Sequence, residues 1–149
     1  MEEEFDKLDE YVLSNPQGNY SRTYLEHALH PRNVGNLEGA NGCATVSGHD
    51  GNAMEIWLKI NDDIVEDASF WTDGCGTTIA CGSITTDIIK GKNIEQVLGI
   101  DEEYISSALD GLPSEGCVCA RLAADTLKAA VLDYITFRNE PWRRKYTRT

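Results

Sequence analysis

Apolar positions change their rhythm three times along this chain. Between Tyr20 and His30, Tyr24, Leu25, Ala28 and Leu29 fall on one helical stripe, with Ser21 placed to cap it. Pro31-Arg32-Asn33-Val34-Gly35-Asn36 then stops the helix and predicts a loop. From Cys43 the period shortens to two. Cys43–Ser47 reads as a short strand, Gly48-His49-Asp50-Gly51-Asn52 as a turn, and Met54, Ile56, Leu58 and Ile60 as one face of a second strand. Asn61-Asp62-Asp63 predicts a hairpin turn into a third strand, Ile64–Thr72. Helical spacing returns over Ile79–Lys90, where Cys81, Ile84 and Ile88 share a stripe and Gly91 closes the helix. Ile94–Leu98 and Asp101–Leu109 read as short helices. Residues 119 to about 137 read as the strongest one, with Ala123, Leu127, Ala130, Val131 and Tyr134 facing inward. Before all of these, Phe5, Leu8, Val12 and Leu13 allow a short amphipathic helix ended by Asn15-Pro16-Gln17-Gly18. The expected fold class is α+β: a three-stranded antiparallel sheet packed by about five to six helices. It is expected to form one domain over 1–149, with its core at about 20–137.

The composition adds limits. Of 149 residues, 41% are hydrophobic and 26% charged, which is the balance of a folded globular chain rather than a disordered one. No apolar run approaches the roughly 20 residues of a membrane span, and Met1-Glu2-Glu3-Glu4 does not resemble a secretory signal. A net charge of −12 argues against nucleic acid as a partner. An acidic N-terminus and a basic C-terminal stretch (Arg138, Arg143, Arg144, Lys145, Arg148) read as flexible solvated tails. Five cysteines without a secreted scaffold's spacing point to reduced thiols in the cytoplasm, with metal or sulfur chemistry open to them.

The chemistry concentrates in Trp71–Ser83. Gly74-Cys75-Gly76 joins a strand end to a helix start, so the thiol has little side-chain cover. Unpaired amides and the helix dipole at that point favour thiolate, the form that attacks sulfur or binds metal. Cys119 continues the buried stripe of the last helix at its N-terminal end. Cys117 lies two residues earlier. It points to the opposite side if the helix already includes it, and reaches the same site if Gly116–Val118 is unwound. Cys81 and Cys43 read as packing residues. His27 and His30 read as solvated or helix-end histidines. Two thiols at distant helix starts suit a soft metal or an iron–sulfur cluster, and their spacing is unlike a zinc ribbon's.

Several short motifs occur in a fixed order: Tyr20-Ser21 with His27, Pro31-Arg32-Asn33-Val34-Gly35, and Gly51-Asn52-Ala53-Met54. Asp73-Gly74-Cys75-Gly76-Thr77-Thr78-Ile79-Ala80, Lys90-Gly91-Lys92 and Cys119-Ala120-Arg121-Leu122-Ala123 follow. Through them the chain resembles the U-type iron–sulfur cluster assembly scaffolds (IscU/NifU N-terminal domain) from about Tyr20 to Tyr134. The resemblance implies a scaffold or carrier rather than an enzyme. Such a protein takes persulfide sulfur from a cysteine desulfurase and iron from a donor, holds a labile [2Fe–2S] cluster and passes it to apo-proteins. A homodimer of such a scaffold is able to share a larger cluster.

The resemblance also locates departures. Family members usually carry three cysteines and an aspartate two residues after the first. Here Cys75 and Cys119 match the second and third cysteines, Asp50 stands at the first, and Asn52 stands at the aspartate. Val118 replaces a histidine often found before the third cysteine, and Cys117 is an additional thiol. Leu112-Pro113-Ser114-Glu115-Gly116 departs from the family's Leu-Pro-Pro-Val-Lys, so binding to a dedicated Hsp70-type chaperone is not expected. The implied ligand set is Asp50, Cys75 and Cys119, with Cys117 or His49 fourth. A carboxylate binds iron or zinc but carries no persulfide. Two alternatives therefore stand beside the scaffold: a zinc-binding sulfur acceptor for a desulfurase, and a degenerate member that only binds a partner. The extra thiol at Cys117 argues against degeneration.

Overall fold

The computed structural model describes residues 21–48, 51–112 and 116–139. The expected helix over Phe5–Leu13 and both charged tails beyond these ranges lie outside the described residues. So do His49, Asp50 and Pro113–Glu115.

The element order is α1 (Arg22–Leu29), β1 (Gly42–Ser47), β2 (Ala53–Asn61), β3 (Ile64–Thr72), α2 (Gly76–Ile89), α3 (Ile94–Leu98), α4 (Glu102–Ala108) and α5 (Cys117–Asn139). The three strands form one antiparallel sheet in the order β1-β2-β3. This is the expected α+β architecture. Asp62 and Asp63, at φ of 52° and 61°, make the two-residue turn between β2 and β3. Such a turn matches the strands' right-handed twist. The Asp63 carboxylate accepts from Tyr134 Oη at 2.7 Å and from Arg138 at 2.9 Å, which ties the turn to α5.

Met54, Ile56 and Leu58 are fully buried and Ile60 nearly so, as the alternation in β2 requires. With Phe70 and Val65 of β3 they face α2 and α5, whose Ala123, Leu127, Ala130, Val131 and Tyr134 all point into the same core. The helix α2 lies on the ring of Phe70. A Cβ on Gly82 would come within 2.4 Å of Phe70 Cδ2, so only glycine permits this approach.

Four expectations are corrected. Helix α2 begins at Gly76, not Ile79, because Cys75 acts as its N-cap residue with extended backbone. It is buried on nearly every side rather than along one stripe, with Thr78, Ser83, Thr85 and Thr86 as covered as Cys81. His27 is not solvated. It is 3% exposed, and its Nδ1 lies 2.6 Å from Ser83 Oγ, which also accepts the Arg32 amide N–H. Leu29, placed on the apolar stripe of α1, is 56% exposed.

The loop after α1 is more ordered in its bonding than the word suggests. Asn33 O accepts the Phe70 N–H at 2.8 Å, and Gly35 N–H donates to Phe70 O at 2.9 Å, so the loop lines the outer edge of β3. Among the described residues no helix is long and apolar enough to cross a membrane.

Candidate sulfur and metal site

Cys75 occupies the joint between β3 and α2. Its approach is fixed by Thr72, whose hydroxyl donates to Ala53 O and accepts from the Gly74 N–H at 3.1 Å, and by Asp73, which accepts the Ala53 N–H. The thiol is exposed. Its sulfur makes no full capping hydrogen bond, yet the Thr78 amide is the largest influence holding its pKa below the usual thiol value. Burial opposes that shift, while the Thr78 hydroxyl, the Thr77 amide and Cys119 add to it. Unpaired amides at a helix start stabilise thiolate, as the sequence predicts.

Cys119 reaches the same place from α5. It is 9% exposed, and its sulfur accepts a hydrogen bond from Thr78 Oγ1 at 3.2 Å. Thr78 Oγ1 also lies 3.7 Å from Cys75 Sγ. One hydroxyl thus touches both family-matched sulfurs, although they are 44 positions apart in sequence. Thr78 is 1% exposed, and its side chain rests on Gly74, where an added Cβ would meet Thr78 Oγ1 at 2.6 Å. Beside it, Thr77 Oγ1 pairs with Tyr24 Oη at 2.5 Å, which joins α1 to the start of α2.

Cys117 is the first residue of α5 and is exposed, whereas Cys119 is buried. Two residues apart on a helix, their side chains leave on different sides. The helix therefore includes both, and the unwound start that would bring them together is not the conformation found. Cys81 lies fully buried in α2, with its pKa raised chiefly by burial and then by the neighbouring Cys119, Cys75 and Cys117. Cys43 is buried in β1. Both agree with a packing role.

Among the described residues no group of three or more histidine, cysteine, aspartate or glutamate side chains is arranged to hold a metal ion. The donors that are brought together are Cys75 and Cys119, with sulfur chemistry suited to iron. Sequence reasoning missed Thr78. Its signal was present in the spacing, since a residue three positions after an N-cap lies over the capping side chain.

The comparisons with known proteins agree with this fold. An iron-sulfur cluster assembly scaffold protein IscU of Archaeoglobus fulgidus is 42% identical over 116 residues, covering 77% of this chain and 76% of that one. The protein of the same name from Aquifex aeolicus is 40% identical over 119 residues, 78% of this chain and 76% of that one. The crystal structure of a nitrogen-fixing NifU-like protein (N-terminal) from Brucella abortus shares the fold. Its TM-score is 0.50 at 19% identity, over 87% of this chain and 95% of that one. Residues 19–140 match the NifU-like N terminal domain, and the chain belongs to that family.

Proposed function

We propose that this protein is an iron–sulfur cluster assembly scaffold, in which Cys75 and Cys119 hold the growing cluster. One observation carries the reading: an exposed thiol favoured as thiolate and a buried thiol from another helix meet on a single hydroxyl. Family membership and scaffold relatives at about 40% identity support it.

In this reading Cys75 is the entry point for sulfur. Its thiolate attacks the outer sulfur of a persulfide on a cysteine desulfurase. The donor's S–S bond breaks, its electron pair stays on the donor thiolate, and a new S–S bond forms on Cys75. Reduction of that sulfur to sulfide takes two electrons from an external reductant. Cys119, anchored below, supplies the second thiolate to iron. Asp50, which lies in sequence between β1 and β2, supplies a harder oxygen ligand. Cys117, on opening of the first turn of α5, or His49 completes the set. Four such ligands suit a [2Fe–2S] cluster, which apo-proteins then receive.

Anaerobic reconstitution with iron, cysteine and a desulfurase tests this. Visible charge-transfer bands with two iron and two sulfide per cluster are expected, and Cys75→Ser should remove them. Wild-type-level iron and sulfide in that variant would overturn the assignment of Cys75.

A further inference from the structure

The cluster-holding reading leaves Thr78 unexplained. A threonine 1% exposed at the start of a helix has to satisfy its hydroxyl, and among the described residues no backbone carbonyl accepts from it. Its oxygen lies between two sulfurs instead. A hydroxyl has one hydrogen to give. The distances assign it to Cys119, at 3.2 Å, rather than to Cys75, at 3.7 Å. Gly74 holds the side chain in that orientation, because the Thr78 Cβ and Cγ2 pack where a Cβ of residue 74 would stand.

We propose that Thr78 is a positioning residue for the sulfur pair. It donates its hydroxyl hydrogen to Cys119 Sγ and continues to do so when that sulfur ligates iron. This proposal rests on the scaffold reading for the identity of the cargo. The consequence is a division of labour. Cys119 is a pre-aimed ligand with part of its electron density committed to a hydrogen bond. Cys75 keeps only the longer 3.7 Å contact with that hydroxyl, relies chiefly on the Thr78 backbone amide, and stays exposed to accept sulfur. Hydrogen bonds to ligating sulfurs raise the reduction potential of an iron–sulfur cluster, so Thr78 also tunes the cargo it helps to hold.

The test uses Thr78→Val, which keeps the shape and removes the hydroxyl, beside Thr78→Ser, which keeps the hydroxyl. Cadmium(II) alone is titrated first, through its thiolate absorbance, and the midpoint potential of the reconstituted cluster is measured second. The hydroxyl binds a metal-bound thiolate roughly twice as strongly as a neutral thiol, so its loss predicts about fivefold weaker cadmium binding in the valine variant. A lower cluster potential is expected with it, and both values should return toward wild type in the serine variant. Valine protein with wild-type affinity and potential would overturn the proposal. Should the valine variant fail to fold by circular dichroism, Thr78→Ala against Thr78→Ser reads the hydroxyl instead, and equal cadmium affinities there would overturn it. Wild-type protein that binds cadmium in this Thr78-dependent way but accepts no iron and sulfide would refute the scaffold reading and leave the role of Thr78 standing.

Discussion

Replacing Gly82 with alanine sets two effects of known size against each other. Alanine in a helix interior gains about 0.8–1 kcal/mol over glycine. Against that, the new methyl group would lie 2.4, 2.6 and 2.9 Å from three ring carbons of Phe70. Carbon atoms rest at about 3.5–4.0 Å, so ring or helix has to yield by roughly 1 Å. The ring has no room to give way. Phe70 is 1% exposed, and its backbone is fixed on the outer edge by Asn33 and Gly35. Overpacking of this kind costs about 1–3 kcal/mol and at this separation belongs at the upper end. The net expectation is a loss of about 1–2 kcal/mol, read by urea unfolding followed by circular dichroism. Phe70→Leu in the same chain should recover part of it, so that the two changes together cost less than their sum. A Gly82→Ala protein as stable as the parent, or more stable, would show that propensity outweighs contact here and would refute the packing argument.

Two further outcomes follow from buried groups. His27 is held neutral below its ordinary pKa of 6.5, chiefly by burial and then by Arg32, with Asp87 and Glu26 opposing. The unfolded chain therefore binds the extra proton first. Stability should fall as pH drops below 6.5 and level off beneath the depressed folded value. Denaturation curves at pH 7.5, 6.0 and 5.5 check this, and a His27→Gln protein with the same slope would refute it. Iodoacetamide applied to the folded apo-protein should label Cys75 and Cys117 and spare Cys43 and Cys81, as read by peptide mass spectrometry. Early labelling of Cys81 would contradict its burial.

The sheet was legible because alternation along β2 is unbroken and the Asp62-Asp63 turn carries its own conformational signal. The place of Cys75 was legible for a local reason as well, since Gly74 and Gly76 mark the turn from strand to helix. What escaped depended on partners far along the chain. His27 reads as a surface residue until Ser83, 56 residues later, is brought beside it. The start of α2 escaped because Gly76-Thr77-Thr78 has weak helix preference, and the helix begins there through tertiary packing on Gly74 and Tyr24. Cys117 could be read either way, since the sequence leaves open whether Gly116–Val118 is wound into the helix. Asp50 and His49 lie outside the described residues, so their part in the site rests on the sequence.

The loop along β3 has a consequence for assembly. Unpaired strand edges are templates on which other chains polymerise. On β3 the outer backbone groups are already engaged, near Phe70 by Asn33 and Gly35 and near Val65 by Lys92 and Gly91. At the opposite border Asp133 accepts the Cys43 N–H at 2.9 Å. Along β3 the fold thus leaves little backbone for another chain to extend, which disfavours strand exchange and fibril growth at that edge.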